Sequence, residues 1–188
     1  MKSGLLVEAE IWNVAHTEQG NAVLVKPIGL ESAVPIFIGQ LEAHSILIGL
    51  GNVPMPRPLT HDLILSLMEK LDTLLEKVEI TELKDGTFYS RMILRQGGKK
   101  FVIDARPSDA LSLAARIRCP IFIAEPIIAE AGVPIKLMTA DNPAEGSGPD
   151  PKDLEIVRLK VELEKALEKE NYEEAVQLRD RLRDLGQE

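Results

Sequence analysis

The chain has 188 residues, with 22 Lys/Arg against 30 Asp/Glu and a formal charge of −8. With 45% hydrophobic and 28% charged residues it can build a core, so global disorder and a uniformly basic nucleic-acid binder are both excluded. Its single cysteine, Cys119, excludes an internal disulfide framework and a cysteine-based zinc knuckle. The start, Met1-Lys2-Ser3-Gly4-Leu5, has no basic region or apolar run of the secretory type. No stretch of about 18 apolar residues is present either. The expectation is a soluble cytoplasmic protein that makes no membrane contact.

In chain order, residues 5–14 read as a strand. Residues 22–27 read as its partner, across the turn-rich 18–21. Residues 34–39 form a third strand. A helix over about 41–48 follows, with Gly49 and Gly51 as stop signals. Pro54, Pro56 and Pro58 stiffen the next loop. Thr60 then caps a helix predicted to run to about Leu75, with Leu63, Ile64, Leu67, Met68 and Leu71 at helical spacing. Strands are expected over 77–83, 87–96 and 99–105, joined by turns at Lys84-Asp85-Gly86 and Gln96-Gly97-Gly98. A helix over 108–117, a strand over 120–125 and a helical turn over 127–131 complete the body. Twice an apolar strand feeds a helix with an acid in its first turn: Ile36-Phe37-Ile38 before Glu42, and Phe101-Val102-Ile103 before Asp109. That is the outline of an internal strand–helix duplication.

Composition shifts at residues 141–152, where turn and linker residues replace apolar ones. The expected domains are therefore a body at 1–140, a flexible linker at 141–152 and a helical hairpin at 153–188. One hairpin stripe is Leu154, Val157, Val161, Leu163 and Leu167; the other is Ala175, Leu178, Leu182 and Leu185. Asn171 is the expected cap of the second helix, with Glu174 closing a capping box. Two such helices bury little surface alone and need a neighbour. The fold class is α+β: a mixed sheet with a few helices, plus the hairpin.

The charge divides along the same boundary. Residues 141–188 hold eight Lys/Arg and fourteen Asp/Glu, a net of −6, which leaves −2 for the body. Within the body, residues 84–118 carry eight Lys/Arg against three Asp, a net of +5. Such a window either contacts phosphates or forms a solvated sheet face.

Three constellations carry candidate chemistry. Pro56-Arg57-Pro58-Leu59-Thr60-His61-Asp62 brings a cation, an imidazole and a carboxylate to a helix start, where anions are favoured. Arg57 suits a phosphate, and His61 suits proton transfer. Asp62 suits a metal or the orientation of His61; it also suits a plain first turn. Asp104-Ala105-Arg106-Pro107-Ser108-Asp109 places two carboxylates at a strand-to-helix junction, as Mg²⁺ or Mn²⁺ would require. The plainer account is an Arg106–Asp109 pair with Ser108 as the helix cap. In Asp85-Gly86-Thr87-Phe88-Tyr89, alternation sends one aromatic to the core and the other outward, where an exposed ring beside Arg91 can stack on a base. His16 and His44 have no metal-ligand spacing. No Ser/His/Asp elbow is evident, and Cys119 reads as an inert core thiol.

Residues 5–135 resemble the bifunctional nuclease domain family. The resemblance is carried in order by 35–39 with Glu42-Ala43, 56–63, 85–89, 103–110 and 120–125. It implies an α+β domain and an association with DNase and RNase activity, without a settled catalytic mechanism. The tail resembles the UVR motif shared by the B and C subunits of bacterial nucleotide excision repair. The matching residues are Leu163–Leu167, Asn171–Ala175 and Leu178–Leu182, with Leu167 where Met is common. That motif implies a helical hairpin for protein–protein contact.

The leading expectation is a nuclease acting on DNA and/or RNA with the help of Mg²⁺ or Mn²⁺. Glu42, Asp62, Asp104 and Asp109 are the candidate metal ligands. His61, Asp62, Asp104 and Asp109 are the candidate catalytic groups, and Arg57, Arg91 and Arg106 the candidate phosphate contacts. A protein partner is expected at residues 153–188. Self-association as a homodimer or higher homo-oligomer is expected to cover a sheet edge. The alternative is a non-catalytic binding or regulatory module that recruits partners through the hairpin.

Overall fold

The computed structural model describes residues 4–17, 20–138 and 150–186. Of the expected linker at 141–152, residues 141–149 lie outside them, and Pro151 and Lys152 already belong to the first tail helix. β1 (Leu6–Thr17), β2 (Gly20–Pro27) and β3 (Ser32–Ile38) form an antiparallel meander. After α1 (Gln40–Leu50) and α2 (Thr60–Lys70) come β4 (Thr73–Lys84), β5 (Thr87–Gln96) and β6 (Lys99–Ala105), again antiparallel. α3 (Pro107–Ile117) leads back to β7 (Ile121–Ala124), which joins the two meanders. β7 pairs antiparallel with β1 and parallel with β4. The short α4 (Glu125–Ala131), β8 (Val133–Pro134) and α5 (Ile135–Met138) follow. The sheet order is β6-β5-β4-β7-β1-β2-β3-β8, the mixed sheet the sequence led us to expect.

Strand periodicity sorts the two faces. Val23, Val25, Val34, Val78, Ile80, Ile121 and Ile123 point to the helices and join Ile46, Leu111 and Leu113 in the main core. α3 lies at its centre, with Leu111 fully buried. α1 packs along α3 closely enough that a Cβ on Gly49 would stand 3.0 Å from the Ala115 Cβ. On the opposite face, Trp12, Ala22, Leu24 and Ala33 form a second cluster with Ile135 and Met138.

The helix expected to reach Leu75 ends at Lys70. Asp72 takes a positive φ of 50°, and the chain turns straight into β4, where Leu75 is buried opposite Leu94. The helical spacing of Leu63, Leu67 and Leu71 is real, but these three are exposed; Ile64, Leu65 and Met68 reach the core. Neither expected hydroxyl cap forms. Leu59 holds the cap position of α2, and its N–H donates to Asp62 Oδ2 at 2.9 Å. Arg106, followed by Pro107, starts α3 in place of Ser108.

The tail forms α6 (Pro151–Glu168) and α7 (Tyr172–Asp184). Asn171 caps α7 as expected, its Oδ1 accepting the Glu174 N–H at 3.4 Å. The capping box does not close: the Glu174 carboxylate accepts from the Asn171 side-chain Nδ2 at 2.7 Å, because the Asn171 backbone N–H is taken by the Ala166 carbonyl. α6 carries two apolar faces rather than one stripe. Val157 and Val161 enter the main core against α1, while Ile156, Leu159 and Ala166 meet Ala175, Leu178 and Leu182 of α7. Leu154 rests on Gly51, where a Cβ would come within 2.8 Å of it. Leu167, assigned to the stripe by spacing, is half exposed. The body is thus a neighbour that the hairpin needs. No helix among the described residues is long and apolar enough to cross a membrane.

A charged group is buried on the helix-free side. Glu79 is 3% exposed and accepts from Lys77 at 2.7 Å and Arg91 at 2.6 Å. Burial alone would raise its pKa; the hydrogen bonds and charges of Lys77 and Arg91 overrule this and hold it below 4.5. A depressed folded pKa contributes stability above the unfolded value, which is lost as pH falls through the folded one. Glu79→Gln should therefore cost about 2 kcal/mol near neutrality. In urea unfolding followed by circular dichroism, parent and variant should converge as pH drops below about 4.5. A gap that stays constant into strong acid would contradict the assignment.

Candidate functional site

The two strand–helix units place their helix starts side by side. β3 leads through Gly39 into α1, and β6 leads through Arg106 into α3. Between them lies a cleft of about 380 Å³, lined by Gly39, Glu42, Thr87, Arg106 and Ser108 among others. A Cβ on Gly39 would meet the Glu42 carboxylate, so a larger residue here would push that side chain aside. Arg106 is two-thirds exposed and grips Asp109 with two bonds, Nε to Oδ2 at 2.8 Å and Nη2 to Oδ1 at 3.1 Å. Its Nη1 donates to Glu42 Oε1 at 3.3 Å. The first-turn acids of the two repeated units thus share one guanidinium.

His61, in the first turn of α2, joins this cluster. Its Nε2 lies 3.5 Å from Asp109 Oδ1, and its Nδ1 lies 2.9 Å from Ser45 Oγ. Burial is the main cause that lowers the His61 pKa below 6.5, followed by the Arg116 charge; Asp109 and Asp62 pull the other way. The imidazole is therefore neutral at pH 7. The ring's roles follow its tautomer: Nδ1–H donated to Ser45 leaves Nε2 as the proton acceptor on the Asp109 side, whereas Nε2–H donated to Asp109 leaves Nδ1 to accept from Ser45. In the first form Nε2 is the available base. Asp109 would then stabilise the imidazolium formed.

Asp62, one residue on, faces elsewhere. Its Oδ1 accepts from Arg116 Nε at 2.7 Å while Oδ2 closes the start of α2. The Arg116 side chain is 7% exposed, and its Nη1 also donates to the carbonyls of Ser45 and Ser112. Asp62 thus fixes the start of the helix that carries His61, as in the plain first-turn reading.

The structure separates the remaining candidates. Asp104 lies opposite Arg91 in the β5–β6 ladder, on the face away from the helices, so it does not meet Asp109. Arg91 is spent on Glu79. Arg57 is exposed on the proline loop. Phe88 packs on the core and Tyr89 is exposed, as alternation predicts. The basic window is less bare than its net charge suggests: Arg95 and Lys100 share Glu76, Arg106 takes Asp109 and Glu42, and Arg116 takes Asp62. Burial pushes the Cys119 thiol up to about 11, which suits the inert role.

This placement does not suit the expected four-carboxylate metal site. Asp104 is across the sheet, Asp62 is committed to Arg116, and Glu42 and Asp109 converge on a guanidinium. Among the described residues, no group of three or more His, Cys, Asp or Glu side chains is arranged to hold an ion. Sequence reasoning missed Ser45 and the buried role of Arg116. The signal for both was a polar residue inside an otherwise apolar helical run.

Comparison with known proteins gives two family matches. The model described as "Bifunctional nuclease domain" matches residues 22–136, and the UvrB/uvrC motif matches residues 153–188. An uncharacterized protein of Mycobacterium tuberculosis is 38% identical over 120 residues, covering 64% of this chain and 71% of the relative. Bifunctional nuclease 1 of Oryza sativa subsp. indica is 25% identical over 178 residues, covering 85% of this chain and 53% of its own length. Bifunctional nuclease 2 of Arabidopsis thaliana is 24% identical over 190 residues, with coverages of 90% and 57%. The chain thus spans little more than half of the plant relatives.

The Asp62–Arg116 pair is open to a double-mutant cycle. Arg116→Met should lower unfolding free energy by about 3 kcal/mol, because Asp62 is left beside a desolvated site without its partner. Adding Asp62→Asn should cost much less than the sum of the two single changes in urea denaturation. Simple additivity would show that the pair holds nothing together.

Proposed function

This chain belongs to the bifunctional nuclease domain family, and we propose that it hydrolyses phosphodiester bonds of DNA or RNA at the Arg106–Asp109–His61 cluster. The observation that carries this reading is one exposed guanidinium joining a cleft to a neutral, half-buried histidine. Arg106 has five N–H donors, of which three are used internally; the remaining two would donate to a phosphate oxygen. The starts of α1 and α3 border the same cleft and add their dipoles. His61 Nε2 takes a proton from water as the water oxygen bonds to phosphorus. The bond from phosphorus to the leaving sugar oxygen breaks, and that oxygen takes a proton from solvent. Asp109 holds Arg106 on one side and balances the imidazolium on the other. Ser45 fixes the ring orientation from the buried side. Every step falls to a side chain of this chain, and none is routed through Mg²⁺ or Mn²⁺.

The same proposal extends to the hairpin, as a docking element for another protein. Its support is the UvrB/uvrC match together with exposed Leu167, Tyr172 and Val176 beside the turn between α6 and α7. The face of α6 turned to α1 is already occupied. Hydrogen exchange at residues 167–176 should slow in cell extract for the parent and not for Tyr172→Asp. Equal exchange in both would remove the docking role.

The nuclease reading is tested with purified full-length protein on single-stranded RNA and DNA, in Mg²⁺, in Mn²⁺ and in EDTA. His61→Ala should lose about 100-fold or more in rate in every condition that supports cleavage. The rate should be flat at and above neutral pH and fall on the acid side below 6.5, because protonated His61 cannot accept a proton. Asp109→Asn removes a charge that raises the His61 pKa, so the acid limb should move further toward low pH. Cleavage by His61→Ala at the parent rate would refute the site. No cleavage by the parent in any condition would favour the binding module instead.

A further inference from the structure

We propose that two copies of this chain pair edge to edge through β6 as a two-fold symmetric dimer. β6 ends the sheet, and among the described residues its outer edge meets no strand. Residues 99–104 are all exposed, including Phe101 at 42%, Val102 at 58% and Ile103 at 42%. The two lysines alone would protect an edge. Three successive apolar residues undo that protection on both faces.

The charges select the occupant and the register. In a two-fold antiparallel pair, opposed residues share a face. Centred on Val102, the register sets Lys100 opposite Asp104 of the partner subunit, and Phe101 opposite Ile103 of the partner subunit. Val102 meets its own symmetry mate. Centred on residue 103, Lys100 meets Arg106 of the partner subunit. Centred on residue 101, it meets Val102 of the partner subunit. Only the central register sets opposite charges together and apolar beside apolar.

The sheet supplies a second argument. Glu79 faces Arg91 across β4–β5, and Arg91 faces Asp104 across β5–β6. This row of alternating sign stops at the edge on an acid. Lys100 of the partner subunit continues it with a base, and Lys100 already leans 3.7 Å from Glu76 within its own sheet. Asp104, which the cleft does not use, thus acquires a role. On the helix side the same register puts Lys99 of the partner subunit opposite Ala105, beside Arg106. That one consequence rests on the proposed nuclease; the dimer does not.

Light scattering after size exclusion, at tens of micromolar full-length protein, should give twice the 20.7 kDa chain mass. Lys100→Asp sets acid against acid, and Asp104→Lys sets base against base, so each should weaken the dimer about 10-fold or more. Both positions are exposed, and far-UV circular dichroism confirms the fold. An equimolar mixture of the two variants should recover the dimer, because each then supplies the charge the other needs. The doubly swapped Lys100→Asp/Asp104→Lys chain should dimerise by itself. A parent of single-chain mass, single variants as dimeric as the parent, or a mixture that stays monomeric would each overturn the proposal, whatever the cleavage assay gives.

Discussion

The arrangement of the helical layer depends on one buried guanidinium. Arg116 comes from the last turn of α3 and binds Asp62 at the start of α2, the Ser45 carbonyl in α1 and the Ser112 carbonyl in its own helix. A charge that is 7% exposed needs compensating partners. Nε and Nη1 find them, while Nη2 is buried without one among the described residues. The bonds made tie three helices to one point. With Asp62 held there, His61 beside it reaches Asp109, and Ser45 in the same turn of α1 reaches the imidazole. The ion pair is thus the frame on which the candidate chemistry hangs.

Sheet topology brings the other half of the site. β7 is parallel to β4, so the chain must cross over between them, and β5, β6 and α3 make that crossing. The crossing carries the junction at Arg106 to the junction at Gly39, more than sixty residues away in sequence. Glu42 and Asp109 then meet at Arg106. Each acid suits its helix dipole alone; both bind an exposed cation that, with Glu42, lines a cleft. The helix-free face uses charge differently. Arg91, Arg95 and Lys100 sit in cross-strand pairs with Glu79 and Glu76, and Lys77 pairs with Glu79 along β4, so much of the basic window is sheet architecture rather than an open cationic surface.

Strand periodicity and turn chemistry made most elements legible. The turn at Asp85-Gly86, with φ of 50° and 75°, sits where the residue types require it. The cap at Asn171 is equally local and equally readable. Errors arose where tertiary packing outvoted spacing. Leu63, Leu67 and Leu71 make a good helical stripe, yet Ile64, Leu65 and Met68 face the core. Leu75 fits the same helical spacing but lies in a strand, because burial opposite Leu94 outweighs one more turn of helix. α6 hid two apolar faces in one pattern, since a helix packed on both the body and α7 has no single stripe.

The sequence by itself determined most element types and the residues able to do chemistry, because helix and strand periods, turns and caps are local properties. It also determined the family, through several ordered motifs. Only the tertiary structure decided which candidates act together. Asp104 and Asp109 are five residues apart and lie on opposite faces, because a strand alternates its side chains and the chain then turns into a helix. His61 and Asp109 are 48 residues apart and lie 3.5 Å from each other, because α2 and α3 pack across one another. Proximity along the chain and proximity in space are different quantities, and a site is built from the second.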